Sequence, residues 1–339
     1  MKTDLTQSTI DSLLAEGKGI LAADESFPTI GKRFKALGIK STEENRLAYR
    51  QMLFSTPGLS DSISGVILFD ETIRQRSSGG VPIAELIASS GMIPGIKVDA
   101  GTEDLPFFPG EKFTMGLDGL SGRLAEYFQL GARFTKWRGV YSVGSELPTG
   151  ACIRANARIH ALFAALSQEA NLVPIVEPEV LMDGDHTIER CAEVATAVLE
   201  HTFEALSEQR VDLGNMLLKT SMVLSGRDCP QQAGICAVAE LTMRVFRRAV
   251  PPSVPGIVFL SGGQEDVPAT RRLNAIEREG PHPWRLTFSY GRALQDAPME
   301  AWAGAAANVQ KAQAALLRRA RCNSLAVRGA YDDAAEIAA

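Results

Sequence analysis

Three lysines and one glutamate are the residues in this sequence best placed to do chemistry. Lys97, Lys136 and Lys219 each come at the end of a short apolar run with no turn residue in between, and Glu177 closes a fourth run. Lysine is rarely buried unless it is paired or functional. A lysine amine attacks a carbonyl only when neutral, and with an ordinary pKa of about 10.4 little of it is free base at pH 7. Desolvation and a neighbouring cation both favour the free amine. Lys136 beside Lys219 would be that cation, and Glu177 could shuttle protons as a carbinolamine forms and loses water. Asp24, at the end of an earlier run, could accept a proton from a substrate hydroxyl. Lys219 is therefore the expected nucleophile of a Schiff-base enzyme. A purely structural ion-pair network is the alternative reading of the same charges.

A second group of residues points to phosphate. Ser261-Gly262-Gly263 follows an apolar run and leaves backbone N–H groups free to wrap an anion. Ser289-Tyr290-Gly291-Arg292 ends the last run, with a bare backbone and a guanidinium. Lys32 and Arg33, after the first run, could bind a second anion or begin a solvated helix. Residues two apart on a strand share a face, so Lys136 should point with Arg138 and Glu177 with Glu179. Isolated carboxylates such as Asp70 and Asp99 read as loop residues in water.

The elements that must position these groups follow from the apolar runs at 19–23, 65–69, 93–98, 132–137, 172–176, 216–218, 256–260 and 284–288. They are short and apolar on both faces, as expected for buried parallel strands. Helical stripes separate them. Ser41-Thr42-Glu43-Glu44 reads as a capping box for a helix reaching Phe54. Leu117, Leu120, Leu124 and Phe128 share one face, as do Ile188, Cys191, Val194, Val198 and Leu199, and Ile235, Val238, Leu241, Val245 and Phe246. Further helices are expected at 9–16 and, as one long Ala-rich element, at about 298–321. Alternating strand and helix patterns predict an α/β fold, a (β/α)8 TIM barrel with extra N- and C-terminal helices, and active sites of such barrels lie where the strands end. No GxGxxG follows a strand and no GxxxxGK[ST] occurs, so nucleotide-binding signatures are missing. No linker or composition shift divides residues 1–339. A single domain is expected, with the barrel at about 17–295 and a C-terminal helix and tail at about 296–339.

Composition narrows the function classes. The chain has 40 acidic and 35 basic residues, a formal charge of −5, which gives no electrostatic reason to expect nucleic-acid binding. Five cysteines without a CxxC pair argue against a disulfide framework and for a reducing compartment. The four histidines are scattered, so no metal site is expected. Asp183-Gly184-Asp185-His186 reads as a polar loop capping a helix. The first residues are too polar for a signal peptide, no apolar run is long enough to span a bilayer, and a cytoplasmic location is expected.

Taken together, GKGILAADES, STEENR, GVILFDET, GIKVD, GLDGL, TKWR, VPIVEPE, DGDH, LLK, FLSGGQ and LTFSYGRALQ resemble the class I, Schiff-base fructose-1,6-bisphosphate aldolases over nearly the full length. The resemblance implies reversible cleavage of fructose 1,6-bisphosphate to dihydroxyacetone phosphate and glyceraldehyde 3-phosphate, without a metal or other cofactor. It implies Lys219 as the Schiff-base lysine, Glu177 as acid/base supported by Lys136 and Glu179, and Asp24 as an aid to carbon–carbon cleavage. Lys97, Arg138, Ser261, Gly262, Gly263, Ser289, Gly291 and Arg292 would line the phosphate groove, and Ser26, Lys32 and Arg33 would meet the other phosphate. A cytosolic homotetramer is implied, with no nucleic-acid or membrane partner. Departures stand out. Phe27-Pro28 replaces the Thr-Gly common after the first strand, Thr220-Ser221 follows the lysine in place of Pro-Asn, and the last tyrosine is Tyr331, so a tyrosine-dependent role of the tail does not carry over. Two other readings are a Schiff-base barrel preferring another sugar phosphate and a non-catalytic binding protein on the same fold. The presence of Asp24, Lys136, Glu177 and Lys219 disfavours the second.

Overall fold

The computed structural model describes residues 2–338. In chain order its strands are β1 (Gly19–Ala23), β2 (Ile63–Leu68), β3 (Ile93–Lys97), β4 (Thr102–Asp104), β5 (Lys112–Thr114), β6 (Phe134–Tyr141), β7 (Val173–Val180), β8 (Leu217–Thr220), β9 (Gly256–Phe259) and β10 (Arg285–Tyr290). All but β4 and β5 are parallel and close into a barrel, with β1 hydrogen-bonded to both β2 and β10. β4 and β5 make an antiparallel ribbon inserted after β3. The (β/α)8 barrel predicted from the apolar runs is the fold that forms.

Strand alternation sorts the side chains into two sets. One parity, including Leu21, Val66, Ile96, Trp137, Val176, Leu218 and Phe259, packs in the layer between strands and helices. The other parity fills the barrel with Ile20, Ala22, Ile67, Phe134, Val173, Ile175, Leu217 and Val258. Ile10 and Leu13 of the leading helix Lys2–Leu13, with Leu14, join that inner cluster and plug the end where the strands start. Gly65 makes the room, since a Cβ there would stand 2.6 Å from Leu13 Cδ2. Each fully buried aliphatic side chain of this plug contributes roughly 1.5–3 kcal/mol relative to exposure.

The same parity explains where the charges go. Asp24 follows Ala22 by two residues, Lys136 follows Phe134, Glu177 follows Ile175, and Lys219 follows Leu217. The barrel interior is thus apolar at its closed end and charged at its open end. Four predicted boundaries shift, three of them for this reason. The runs at 132–137 and 172–176 stop where the sequence turns polar, but β6 and β7 continue in register to Tyr141 and Val180. The run at 216–218 likewise extends to Thr220, and that at 284–288 to Tyr290. Charged side chains on β6, β7 and β8 pair with one another inside the barrel, so the backbone ladder there need not end.

Other expectations are corrected locally. Thr42, not Ser41, caps the helix Glu43–Phe54 by accepting from the Asn45 backbone N–H. Thr187, rather than the Asp-Gly-Asp-His stretch itself, caps Ile188–Glu208. The single Ala-rich helix expected at about 298–321 is two, Arg292–Trp302 and Val309–Val327, because Ala303 and Gly304 turn into the left-handed region at φ 48° and 76°. No helix among the described residues is long and apolar enough to cross a membrane.

The closed end of the barrel carries a testable strain. Glu277 ends the helix Asp266–Glu277, and its Oε2 is buried without a hydrogen-bond partner among the described residues. Burial pushes its carboxyl from the ordinary 4.5 up to about 7. A raised carboxyl holds its proton in the folded state while the unfolded chain has released it, so stability falls as pH rises from 4.5 through 7. Glu277→Gln is expected to gain about 1–2 kcal/mol at pH 8, after allowance for solvent screening of a half-buried group, and almost nothing at pH 4. Urea melts at the two pH values check this; an equal gain at both would contradict it.

Candidate active site

Four elements deliver one chain of charges across the open end of the barrel. Lys136 Nζ on β6 stands 2.7 Å from Asp24 Oδ2 just beyond β1, and 3.1 Å from Glu177 Oε2 on β7. Lys219 Nζ on β8 stands 3.0 Å from the other Glu177 oxygen, Oε1. Glu177 is therefore shared between two lysines, one on each oxygen. Its Oε2 meets Lys136 as an ionic contact rather than an aligned hydrogen bond. Lys136, Glu177 and Lys219 are each 3% exposed, a degree of burial that isolated charges do not tolerate.

Electrostatics separates the lysines. Burial opposes the Asp24 carboxylate, but the Lys136 and Lys219 ammonium groups outweigh it and bring its pKa to about 2. Burial opposes charge on Glu177 as well, yet Lys136, Lys219 and Arg138 hold it below the usual carboxylate range. For Lys136, burial disfavours the ammonium, and Asp24, Glu177 and Asp99 reverse this, so it titrates well above an ordinary lysine. Wedged between two carboxylates, Lys136 is a fixed cation. Lys97 is also committed, with Nζ 2.5 Å from Asp99 Oδ1 and donating to the Asp99 carbonyl at 2.8 Å. Among the described residues Lys219 makes its ion pair with the shared Glu177 alone.

The anion-binding candidates divide in the same way. After β9, Gly262 and Gly263 adopt φ 56° and 94°, a left-handed pair that glycine permits, and Gln264 N–H closes the turn on the Ser261 carbonyl. Arg292, the first residue of its helix, brings Nη2 within 3.2 Å of where a Gly263 Cβ would stand. Ser261 is buried beside this turn, and the Ser289 hydroxyl on β10 is buried with no partner among the described residues. Gly291 precedes the helix of Arg292. Arg138 is paired to Glu179, Nε to Oε2 at 2.5 Å, so both second members of the strand pairs are brought together. After β1, the neighbour of β10, Ser26 Oγ lies 3.2 Å from Thr29 Oγ1, and Lys32 is exposed. Arg33 is bound to Glu25 at 2.5 Å and Asp296 at 2.8 Å. Phe27-Pro28 opens the helix Phe27–Ala36, and the Phe27 ring stacks edge-on against Phe69 at 5.2 Å with the Arg46 guanidinium 4.7 Å from its centre.

Two contributors escape sequence reasoning. Asp99 is not a solvated loop residue. It is buried, holds Lys97, and accepts from the Gly101 and Arg138 backbone N–H groups. Arg50, in the middle of a helix, is 1% exposed and donates to the Glu25 carbonyl at 2.7 Å and to Thr72 Oγ1 at 2.6 Å, joining the loops after β1 and β2. Its partners come from distant segments, so local spacing carries no signal for it. Tyr331 packs on the flank, its N–H held by Asn274 and its hydroxyl donating to Glu336 at 2.7 Å. Among the described residues no group of three or more His, Cys, Asp or Glu is arranged to hold a metal ion.

With this geometry in place, comparison with known proteins is decisive. The family model described as fructose-bisphosphate aldolase class-I matches residues 5–339. The chain belongs to the class I fructose-bisphosphate aldolase family. A probable fructose-bisphosphate aldolase class 1 of Xanthomonas campestris is 53% identical over 332 residues, covering 98% of this chain and 99% of the relative. Fructose-bisphosphate aldolase 1 of Toxoplasma gondii is 51% identical over 94% of this chain and 88% of its own. A Plasmodium falciparum fructose-bisphosphate aldolase, solved in complex with TRAP and a small-molecule inhibitor, superposes with a TM-score of 0.96 at 48% identity, covering 98% of this chain and 96% of that one.

Proposed function

We propose that this protein reversibly cleaves fructose 1,6-bisphosphate to dihydroxyacetone phosphate and glyceraldehyde 3-phosphate through a Schiff base on Lys219. The observation that carries the proposal is the buried Lys136–Glu177–Lys219 array, in which one carboxylate touches both amines at 3.0–3.1 Å. Lys219 attacks the C2 carbonyl, and Glu177 at its amine carries protons as the carbinolamine forms and dehydrates. The resulting iminium is an electron sink. Asp24 takes the C4 hydroxyl proton, the C3–C4 bond breaks, glyceraldehyde 3-phosphate leaves, and the electron pair stays on the enamine. Protonation at C3 and hydrolysis then return Lys219 and release dihydroxyacetone phosphate. Lys136, held as a cation, keeps Asp24 and Glu177 ionised without taking part in bond making.

Ser261, Gly262, Gly263, Ser289, Gly291 and Arg292 cradle one phosphate, with Lys97 and Arg138 along the groove. Ser26, Lys32 and Arg33 meet the other. Glu179 acts through Arg138. The lysine supplies the electron sink, so this reading calls for no metal or other cofactor. It places the enzyme in the cytoplasm as a single-domain barrel that self-associates as a homotetramer, which light scattering would check. The decisive experiment is reduction with borohydride in the presence of dihydroxyacetone phosphate, followed by peptide mass mapping. The expected product is a stable adduct on Lys219. An adduct on Lys136 or Lys97, or none, would overturn the assignment.

A further inference from the structure

We propose that Arg227 is a second guanidinium of the phosphate cradle, gripping the same phosphate as Arg292 and tying the loop after the Schiff-base strand β8 to the substrate. The inference rests on the aldolase reading above and adds a specificity-determining residue to it. Arg227 lies in the loop that leaves β8 after Lys219, and neither its spacing nor any motif marks it out. The structure brings it to Gly263. From the point where a Gly263 Cβ would stand, Arg227 Nη2 is 2.7 Å away and Arg292 Nη2 is 3.2 Å away. Two guanidinium groups, one from the loop after β8 and one from the start of the helix after β10, thus meet over a single glycine.

This pair is uncompensated. Neither arginine side chain makes an ion pair or hydrogen bond with any described residue. Among the other rim cations, Lys97 has Asp99, Arg138 has Glu179, and Arg33 has Glu25 and Asp296. Like charges a few ångströms apart repel, and the repulsion is relieved when an anion sits between them. Directly beneath lies the left-handed Gly262-Gly263 turn, whose N–H groups suit the same anion. A phosphate dianion has enough oxygens to accept from the turn and from both planar forks together.

Arg227 is also anchored at its base. Its own N–H donates to the Met182 carbonyl at 2.7 Å, Gly226 N–H to His186 O at 2.8 Å, and Asp228 N–H to Gly184 O at 2.9 Å. Gly226 allows this closeness, since a Cβ there would meet the Gly184 carbonyl oxygen. The Asp183-Gly184-Asp185-His186 stretch thereby gains a use: it is the backbone frame on which the Arg227 loop is stitched. Because that loop continues directly from β8, a phosphate held by Arg227 also sets how far the substrate carbonyl stands from Lys219.

The test uses the full-length enzyme and inorganic phosphate as probe. Calorimetry measures phosphate binding to the wild type, Arg227→Ala and Arg227→Lys, and the same samples are assayed on fructose 1,6-bisphosphate and trapped with borohydride. Removing one charged phosphate contact at an exposed rim is expected to weaken phosphate binding and raise KM about tenfold, with a smaller fall in kcat. Arg227→Lys keeps the charge but loses the fork, so it should recover part of the loss. Unchanged phosphate affinity in Arg227→Ala, or no phosphate binding by the wild type, overturns the inference even if Lys219 is trapped normally. Failure to trap Lys219 in the wild type counts against the aldolase reading instead, and the phosphate titrations still decide Arg227. Unchanged thermal melts of both variants confirm that folding is not the cause.

Discussion

Lys219→Met is expected to abolish the borohydride-trapped adduct and to lower kcat for cleavage by on the order of 10⁴ or more. No other amine can substitute. Lys136 lies between Asp24 at 2.7 Å and Glu177 at 3.1 Å, and Lys97 is bound by Asp99. The loss should come without unfolding, because Glu177 keeps Lys136 as a counter-charge when Lys219 is gone. Lys219→Arg sharpens the test. It restores a cation at the site, but a guanidinium remains protonated and cannot form the imine. Equal inactivity of the Met and Arg variants, with near-native thermal melts, assigns the nucleophile. Activity within tenfold of wild type in either would show that the reaction does not pass through Lys219.

How much of this was legible in the sequence depends on the range of the interaction involved. The barrel was legible because each strand advertises itself locally, as a short run apolar on both faces. The cluster of charges at the open end was legible for a related reason. Parity along a strand carries a lumen-facing position forward from Ile175 to Glu177 and from Leu217 to Lys219, so an apolar run ending in a charge already points that charge inward. The ends of β6 and β7 were not legible, because polar residues normally mark a loop, and only their pairing with the neighbouring strand shows that these polar residues stay in the ladder. Asp99, Arg50 and Arg227 were missed on the same principle. Each acquires its surroundings from segments far away in the chain, Arg227 from the loops after β7 and β9. The break at Ala303-Gly304 was hidden by high helix propensity on either side, which says nothing about where the chain must turn to cover the barrel.

The second large effect concerns Lys136, which by this account never touches a bond of the substrate. Lys136→Met leaves Asp24 and Glu177 buried near one another with their shared cation gone. The methionine is similar in length, so the change is in charge more than in packing. In the native enzyme burial would raise the Asp24 pKa, and it is the lysines, Lys136 foremost, that bring it to about 2 from an ordinary 3.8. Without Lys136 its two lowering contributions are gone and only Lys219 and Lys97 still oppose burial, so Asp24 should titrate higher than in the native enzyme. Two consequences follow from the sign of that change. A depressed carboxyl contributes stability above its unfolded value and loses it as pH falls towards 2. The wild type therefore draws about 2 kcal/mol from Asp24 at neutral pH, and the variant should lose part of that contribution. The acidic limb of the cleavage profile should also move to higher pH, because Asp24 must be ionised to accept the hydroxyl proton. With Glu177 also less readily ionised, kcat at pH 7 should drop by roughly 10²–10⁴. Lys219 stays in place, so borohydride trapping with dihydroxyacetone phosphate should slow rather than vanish. That separates the two lysines: loss of Lys219 removes the adduct, whereas loss of Lys136 delays it and shifts its pH dependence. An acidic limb unmoved in Lys136→Met, with kcat lowered, would mean that Lys136 acts on the substrate directly and not through the two carboxylates.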